Sequence, residues 1–416
     1  MNIAIIGGGI AGLSFALYLH QRGIAARVYE SAPEIHEIGV GITLLPHAMR
    51  EYAALGVDKA LAAVGIENLD SCFFNRFGQL IYKEPRGRHG GNAFPEISLH
   101  RGRLHRVLFD AVRDRLGPDA VSTGHHCTHV AQDADGVEVG FADPRSDAQL
   151  GSVRADLAIA CDGINSAVRS QFYPDEVLAF GGINTWRGVT RRAPVLSGRS
   201  YMRVGSIRTG KLVIYPIIDD RERDGTQVIN WVAEIEGDRP TRNDWNKPGR
   251  LQDFFHIYSD WRFDWLDVAE MIENAETILE YPMVDRDPVE SWVFGRVALM
   301  GDAAHPMYPR GSNGSAQAVI DARTLADCLV AHDQPSAALA AYQDTRLPAT
   351  NKVVLANRAN PPDIINIRVE ELVGDRPFDD LDAYISQEEL RALSEQYKSI
   401  AGFSAADLQA REDGNS

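Results

Sequence analysis

The chain has 416 residues, 44% of them hydrophobic and 24% charged, a composition that argues against disorder and allows a large core in one or two domains. Its net charge of −16 disfavours nucleic acid and anionic membrane surfaces as partners, because like charges repel. No CxxC spacing joins the four cysteines, Cys72, Cys127, Cys161 and Cys328, so we expect free thiols in a cytoplasmic protein and neither a disulfide framework nor a thiolate zinc site.

Residues 3–19 carry no charge, so a membrane anchor or secretory signal is the first alternative for the opening segment. The stretch is shorter than the roughly 20 apolar residues that cross a bilayer. Five of its residues are Gly or Ser, and no basic residue precedes it as in a signal peptide. We therefore expect neither an anchor nor a signal here.

The opening segment predicts a strand, a helix and a second strand. Residues 2–6 form a short apolar, β-branched run suited to a buried strand, and helical spacing of apolar residues then continues until Gly23. Residues 26–29 predict the second strand, and Glu30 stands at its end. This order is the context that a dinucleotide-binding motif requires.

The turn between the first strand and the helix has the pattern G-x-G-x-x-G. Glycines permit a tight turn and close backbone approach, the helix amino end attracts a pyrophosphate, and an acid about 20 residues on accepts hydrogen bonds from a ribose. The segment predicts a dinucleotide site rather than a merely structural turn, and its spacing leaves NAD and FAD open. Its candidate cofactor-binding residues are Gly7, Gly9, Ile10, Ala11, Gly12 and Glu30.

A second strand-to-turn segment lies in the middle of the chain. Residues 155–160 predict an apolar strand that runs into CDGINSAVR at 161–169, with a turn at Asp162 and Gly163 and a helix beginning at residue 166. This segment alone does not distinguish NAD from FAD, and a third segment of the same kind is needed for that.

That third segment begins with an apolar strand at residues 297–300, which runs into GDAAHPMYPRGSNG, and a helix is predicted at 315–331. Asp302 at the strand end can accept hydrogen bonds from a sugar-alcohol chain, with a turn or cap aspartate as the alternative. A helix amino end aimed at a flavin would stabilise negative charge on the reduced ring, which nicotinamide does not need. The segment therefore favours FAD.

Together the three motifs resemble the fingerprints of the group A flavoprotein aromatic hydroxylases, which share the p-hydroxybenzoate hydroxylase fold. The resemblance covers residues 1 to about 360, in the family's order and at roughly its spacing. The phrases INWVAE, RGSNGSAQAVIDAR and LANRANPP look closest to the phenazine and salicylate hydroxylase-like branch. The resemblance to this family implies an α/β fold, with a Rossmann-like FAD-binding domain of the GR2 type, an antiparallel-sheet substrate domain and C-terminal helices.

The resemblance also implies roles for single residues. Glu30 would hold the adenosine ribose, Arg101 the ribityl and pyrophosphate region, and Asp302 the ribityl chain. The Asp-Gly turn is associated in the family with both FAD and the nicotinamide, and Arg169 with closing that turn. The other cofactor contacts would come from the third motif: Gly301, Pro309, Gly311, Ser312, Asn313 and Gly314.

The motifs lie far apart in sequence, so the FAD-binding domain must be discontinuous. We predict it at residues 1–72, 97–180 and 283–360, with a substrate-binding sheet at 73–96 and 181–282 and a helical extension at 361–416. The runs KLVIYPI at 211–217 and VINWVAEI at 228–235 predict antiparallel strands that cover the active site.

The activity implied by the resemblance is that of a single-component monooxygenase. NADH or NADPH would reduce FAD, O2 would add at the flavin C4a position, and the hydroperoxide would hydroxylate an electron-rich aromatic or N-heteroaromatic molecule of phenolic, amino or carboxylated type. Alternatives are an epoxidase, oxidase or halogenase on the same fold, or a flavin-binding sensor without turnover. The W-x-W-x-I-P motif of halogenases is absent.

Substrate contacts are harder to predict, because protein groups need only orient the ring, exclude water and help to deprotonate the substrate. We predict catalytic roles for His47, Tyr215 and Pro309, and substrate contacts for Tyr215, Trp231, Met307 and Tyr308; packing is the alternative for each aromatic residue. The sequence departs from the family at His47, where many relatives have Asn, and at R-G-S-N-G, where G-Q-G-x-N is commoner.

A substrate carboxylate would need a cationic partner, and Arg187, Arg203 and Arg208 are the candidates. The histidines at 125, 126 and 129 lack a supporting acid pattern, so we expect no metal. The predicted partner is a small aromatic substrate, and the predicted assembly is a monomer or homodimer.

Overall fold

The computed structural model describes residues 1–34, 40–237, 247–359 and 363–400, so the last sixteen residues of the predicted extension lie outside the described part. Within the described ranges, no helix is both long enough and apolar enough to cross a membrane. The predicted and observed boundaries of the elements that carry the three motifs agree within about two residues.

The strands and helices follow in chain order. The strands of the first half are β1 (Asn2–Ile6), β2 (Ala25–Tyr29), β3 (Gly41–Leu44), β4 (Ile66–Glu67), β5 (Asp70–Phe74), β6 (Leu80–Pro85), β7 (Ile97–His100), β8 (Val121–Ser122), β9 (His126–Gln132), β10 (Val137–Ala142), β11 (Gln149–Ala155) and β12 (Leu157–Ala160). Those of the second half are β13 (Ala179–Arg192), β14 (Ser200–Ser206), β15 (Gly210–Asp220), β16 (Thr226–Glu236), β17 (Lys247–Pro248), β18 (Arg262–Phe263), β19 (Leu266–Asp267), β20 (Thr277–Asp285), β21 (Val293–Phe294) and β22 (Val297–Leu299). The helices are α1 (Ile10–Gln21), α2 (Pro46–Ala54), α3 (Asp58–Val64), α4 (Arg101–Leu116), α5 (Ala167–Phe172), α6 (Arg221–Asp224), α7 (Phe255–Tyr258), α8 (Val268–Glu273), α9 (Gly314–Ala331), α10 (Pro335–Ala359), α11 (Ile364–Val373) and α12 (Gln387–Ile400).

A six-stranded sheet in the order β21-β22-β12-β1-β2-β8 carries the three motifs. Its strands β22, β12, β1, β2 and β8 are parallel. The three central ones, β22, β12 and β1, are buried apolar runs, as expected for a parallel sheet covered by helices. β12, β1 and β22 are neighbours, so the turns that follow them meet at one edge of the sheet. Ligands of open α/β sheets bind at such carboxyl-terminal edges.

A second sheet has eight strands in the order β17-β20-β13-β16-β15-β14-β5-β6. It is antiparallel except for the pairing of β14 with β5. The excursion that we predicted from residue 73 therefore includes two complete strands and begins at Asp70.

The two faces of this eight-stranded sheet differ in chemistry, because successive side chains along a strand point to opposite sides. The apolar face packs against α7 and α8 and includes Trp186, Met202, Leu212, Ile214 and Trp231. The opposite face, here the polar face, is turned towards the motif-bearing part of the chain and includes Arg187, Arg203, Lys211, Tyr215, Asn230 and Glu234.

The helical extension packs on the far end of the same sheet. Ile365 and Val369 of α11 share a hydrophobic cluster with Phe73 and Tyr82 of β5 and β6. Asn366 also donates a hydrogen bond to the Phe74 carbonyl at 2.8 Å. The described C-terminal helices are thus part of the folded structure around the eight-stranded sheet.

Candidate FAD and substrate site

The three motifs meet through close backbone contacts. The Cys161 amide donates to the Ile6 carbonyl at 2.6 Å, and a Cβ on Gly7 would lie 2.3 Å from the Cys161 carbonyl oxygen. A Cβ on Gly301 would lie 2.9 Å from that of Ala11, which joins the third motif to the first. Gly7 and Gly301 also have φ values of +104° and +60°, a region that favours glycine. Both positions therefore require glycine, because a Cβ would make a close contact and because the backbone has a positive φ.

The amino end of α1 has the features of a pyrophosphate cradle. Gly9 precedes the helix, no described side chain caps it, and a Cβ on Gly9 would meet no described atom within 4 Å. The Glu30 carboxylate accepts hydrogen bonds from the Gly8 and Ala32 amides, each at 2.6 Å. Glu30 thus holds the glycine turn in place, and its remaining lone pairs can accept ribose hydroxyls.

Asp162 carries an orphaned polar atom. Its Oδ2 accepts a hydrogen bond from the Val168 amide at 3.4 Å, whereas its buried Oδ1 has no partner among the described residues. Burial raises the pKa of this carboxyl group. The space next to Gly163 is open, so a hydrogen-bond donor on a bound cofactor can reach this turn.

Arg169 holds two motifs together and does not face open space. It is buried, and its guanidinium donates to the Ala303 and Ala304 carbonyls at 2.9 and 2.6 Å. The same group is paired with Glu176. We therefore correct its predicted role from cofactor contact to positioning of the second and third motifs.

The third motif presents polar groups at the amino end of α9. Asp302 is exposed, and its Oδ1 lies 3.9 Å from the position of a Cβ on Gly314. Asn313 precedes the helix without capping it through its side chain, and its buried Nδ2 has no partner in the described chain. Ser312 has a φ of +56°, so this turn is tightly wound.

Arg101 begins α4 and its side chain is exposed, while its amide donates to the Val40 carbonyl at 3.0 Å. This position leaves the guanidinium available to phosphate or ribityl oxygens. With the uncapped helix ends, the open glycine faces and the two orphaned polar atoms, the residues present fit FAD.

Tyr215 lies on the polar face, as a substrate-binding residue should. Its ring stacks on Tyr201 with a centroid distance of 4.9 Å. Burial raises the pKa of this phenol. The catalytic and substrate-binding roles of Tyr215 stay predictions.

Asn230, the cross-strand partner of Tyr215, was not predicted. Its Oδ1 accepts a hydrogen bond from the Gly41 amide at 2.7 Å, and its Nδ2 is buried without a partner in the described residues. A Cβ on Gly41 would lie 2.7 Å from Tyr215 Cε2, so the sheet closely approaches β3 here. The alternation of VINWVAEI was the available signal.

The prediction for Trp231 is wrong. Its indole is fully buried on the apolar face, where Nε1 donates to Thr190 Oγ1 at 3.0 Å and the ring lies near Phe254. Trp231 pairs with Ile214, so it points away from Tyr215, which is the next residue along β15.

The residues after the third motif differ in exposure. The Tyr308 ring packs against Ile183 and Met283, and it lies near the charge of Asp285. Burial and the Asp285 charge raise the pKa of this phenol to about 12. Tyr308 therefore packs inside the protein, whereas Met307 is half-buried and Pro309 is exposed.

The three candidate arginines differ in their location and in their partners. Arg208 is exposed and pairs with Glu371 at 3.2 Å. Arg187 and Arg203 lie on the polar face, where their guanidinium groups stand over the Tyr281 ring at 4.0 Å and the Tyr201 ring at 4.6 Å. Arg203 also donates to Ser71 Oγ at 2.7 Å. No carboxylate of the described chain pairs with either of these two arginines.

His47 is fully buried at the start of α2, and its Nε2 lies 3.0 Å from Asn313 Oδ1. It therefore adjoins the turn predicted to lie under the flavin.

His305 is hydrogen-bonded to Asp321, which also pairs with Arg346 at 2.7 Å. Burial opposes ionisation of Asp321, but His305 and Arg346 outweigh it and lower its pKa. Among the described residues, no group of three or more His, Cys, Asp or Glu side chains could hold a metal ion.

Comparison with known proteins places this site in a family. Residues 1–357 match the model of the FAD binding domain family. A phenazine 1,6-dicarboxylic acid hydroxylase from Lysobacter antibioticus is 37% identical over 404 residues, which are 96% of this chain and 97% of that protein. A 3-amino-4-hydroxybenzoate 2-monooxygenase from Streptomyces platensis is 34% identical over 362 residues, 85% of each chain.

Solved structures show the same fold. Klebsiella pneumoniae HpxO, complexed with FAD and uric acid, has a TM-score of 0.74 at 24% identity and matches 98% of this chain and 97% of its own. A salicylate hydroxylase substrate complex has a TM-score of 0.72 at 21% identity, with the same two coverages. The chain therefore belongs to the FAD binding domain family and, within it, to the flavin-dependent aromatic monooxygenases.

Proposed function

We propose that this chain hydroxylates a small electron-rich aromatic or N-heteroaromatic carboxylic acid, with NADH or NADPH as reductant and O2 as oxygen source. The observation that carries the carboxylate is the pair Arg187 and Arg203, which lie on the same face as Tyr215 without a carboxylate partner in the described chain. Arg203 is buried and Arg187 is half-buried, and a buried guanidinium normally has an anionic partner. Relatives named for a phenazine dicarboxylic acid and for an aminohydroxybenzoate support the same substrate class.

The amino ends of α1 and α9 would each bind a different part of the cofactor. Glu30 and the amino end of α1 would hold the ADP half, with Arg101 at the pyrophosphate and ribityl region. Asp302 and the turn before α9 would hold the ribityl chain and the ring. The chemistry supplied by bound FAD is acceptance of a hydride and transfer of one oxygen atom of O2 to an electron-rich ring.

The side chains on the polar face would orient the substrate and exclude water from the reacting edge. Tyr215 offers an aromatic surface that is already held in place by stacking on Tyr201. We propose that His47 carries a proton between the substrate and the protein, because imidazole titrates near neutrality. Met307 and Pro309 would line the flavin edge.

A panel of aromatic acids, each paired with its carboxamide, tests this function in FAD-loaded protein. We expect acids to accelerate NAD(P)H oxidation and to give oxygenated product, and the neutral amides to do so weakly. Equal stimulation by an acid and its amide would contradict the carboxylate assignment. Bound flavin without aromatic-stimulated NAD(P)H oxidation would contradict the monooxygenase function, and peroxide release alone would not support it.

We also propose that the protein acts in the cytoplasm as a monomer or homodimer, with domain limits near those predicted from the sequence. The net charge of −16 and the four free cysteines support this proposal. Light scattering of the FAD-loaded protein measures the assembly, and a mass above that of a dimer would contradict it.

A further inference from the structure

Two amide side chains join His47 to Arg346 through consecutive buried hydrogen bonds. His47 Nε2 lies 3.0 Å from Asn313 Oδ1, and the same oxygen accepts from Gln317 Nε2 at 3.1 Å. Gln317 Oε1 accepts from Arg346 Nη2 at 2.6 Å. At its far end, Arg346 Nε donates to Asp321 Oδ1 at 2.7 Å. All five side chains are buried, so water cannot substitute for a missing donor or acceptor.

The direction of each bond in this chain follows from Arg346. A guanidinium only donates, so the Gln317 atom that faces it must be the carbonyl oxygen. The Gln317 amide nitrogen is then the atom directed at Asn313, which must present its own oxygen. An amide oxygen only accepts, and His47 Nε2 must therefore carry a proton.

We infer that Arg346 and Gln317 are positioning residues that fix neutral His47 in the Nε2–H tautomer, with Nδ1 as its basic nitrogen. The functional part of this inference rests on the proposed role of His47 as a proton carrier. When Nδ1 takes up a proton from a substrate hydroxyl or amine, His47 becomes an imidazolium and the net charge of the substrate falls by one. The Nε2–H bond to Asn313 persists in both states, so the chain of bonds need not rearrange.

The same bonds tie α2, α9 and α10 together, so loss of activity in a variant would not separate positioning from stability. A substitution that reverses the bond direction without removing the bonds does separate them. Gln317→Glu is such a change, because a carboxylate still accepts from Arg346 but cannot donate to Asn313. The Asn313 amide would then turn its Nδ2 towards the introduced carboxylate and His47, and His47 would become the Nδ1–H tautomer.

Nitrogen NMR of FAD-loaded protein labelled with 15N-histidine reads the tautomer directly, since protonated and unprotonated ring nitrogens differ in chemical shift. Spectra taken at about pH 8, above the ordinary histidine pKa of about 6.5, report the neutral ring. The His47 signals are those lost in His47→Gln. We expect Nε2–H in the unmodified protein, Nδ1–H in Gln317→Glu and a mixture in Gln317→Met. An Nδ1–H signal in the unmodified protein overturns the inference even if both variants fail to fold.

Kinetics add a second measurement with a matched pair of variants. We expect kcat to fall about 100-fold in Gln317→Glu, the lower end of the range for loss of general acid–base catalysis. In Gln317→Met, which leaves a mixture of tautomers, we expect a smaller fall of about 10-fold, and KM and FAD content should change little in both variants. An equal or smaller loss in Gln317→Glu would overturn the positioning role. If the unmodified protein shows the Nε2–H tautomer but no aromatic stimulates NAD(P)H oxidation, the proposed function fails and the tautomer assignment stands.

Discussion

The two faces of the eight-stranded sheet are built from alternate residues of the same strands, yet they hold opposite chemistry. The apolar face buries Trp186, Trp231 and Ile214 in a single hydrophobic cluster. The polar face buries Lys211, Glu234 and other charged groups among a few apolar residues. Burial of a charge costs free energy unless a partner compensates it. The comparison therefore assigns stability mainly to the apolar face and supports the proposed role of the polar face in substrate recognition.

Within the polar face, a second contrast separates paired from unpaired charges. Lys211 Nζ lies 2.7 Å from Glu234 and 3.2 Å from Asp363, and Asp363 also pairs with Arg310 at 2.7 Å. These four residues link the sheet to the turn that is predicted to lie beside the flavin and to the start of the C-terminal helices. Arg203, by contrast, has only Ser71 and aromatic rings as partners among the residues that the structure describes.

The largest expected effect on stability comes from the apolar face. Trp231→Ala should lower the free energy of unfolding by about 4 kcal/mol, because it leaves a cavity in a fully packed core. Chemical denaturation measures this loss, and steady-state kinetics on the folded fraction should give nearly unchanged KM values. A large rise in KM at unchanged stability would mean that Trp231 contacts substrate after all.

The next effect comes from the paired charges of the polar face. Lys211→Met should lower the free energy of unfolding by about 3 kcal/mol, because it leaves Glu234 without its cationic partner in a buried site. Denaturation of this variant should be compared with that of Lys211→Met/Glu234→Gln, in which neither charge remains. If the double variant is no more stable than the single one, the pairing of Lys211 with Glu234 is not the source of the loss.

The FAD-binding part of the fold was predictable because each motif is local. A strand, a glycine turn and a helix follow one another without interruption, so the first motif and Glu30 specify their own arrangement. The contribution of Arg169 is not local, since its partners Ala303 and Ala304 lie more than 130 residues away. Sequence spacing could not distinguish a contact with FAD from a contact with another motif.

The substrate side was less predictable, because residue pairing across strands depends on register. Alternation in VINWVAEI shows that Asn230 and Trp231 point to opposite sides, but it does not show which side faces the active site. The register supplies that answer by pairing Asn230 with Tyr215. Lys211 and Glu234 were visible in the sequence as charges within predicted buried strands, and that signal was not used.

The unpaired arginines should affect recognition more than stability. Arg203→Met should raise the KM of a carboxylated substrate about 30-fold, or about 2 kcal/mol, which is the scale of a hydrogen-bonded charge pair. Arg187→Met should act in the same direction, and kcat should change less than KM in both variants. Steady-state kinetics with an acid and its carboxamide measures the effect, with Arg208→Met as the surface control. An equal rise for acid and amide would exclude carboxylate recognition by these arginines.

The smallest expected effect depends on pH and again concerns the paired charges. Burial alone would raise the pKa of Asp363, but Lys211 and Arg310 outweigh it and hold that pKa well below the ordinary value. A carboxyl group with a lowered pKa contributes stability above its unfolded pKa of about 3.9, and the contribution is lost as the pH falls further. Asp363→Asn should therefore be less stable than the unmodified chain by about 1.5 kcal/mol at neutral pH. Urea denaturation of both proteins at a series of pH values should show this difference shrinking below about pH 4. A difference that widens on acidification would mean that the charge of Asp363 does not stabilise the contact between the sheet and the C-terminal helices.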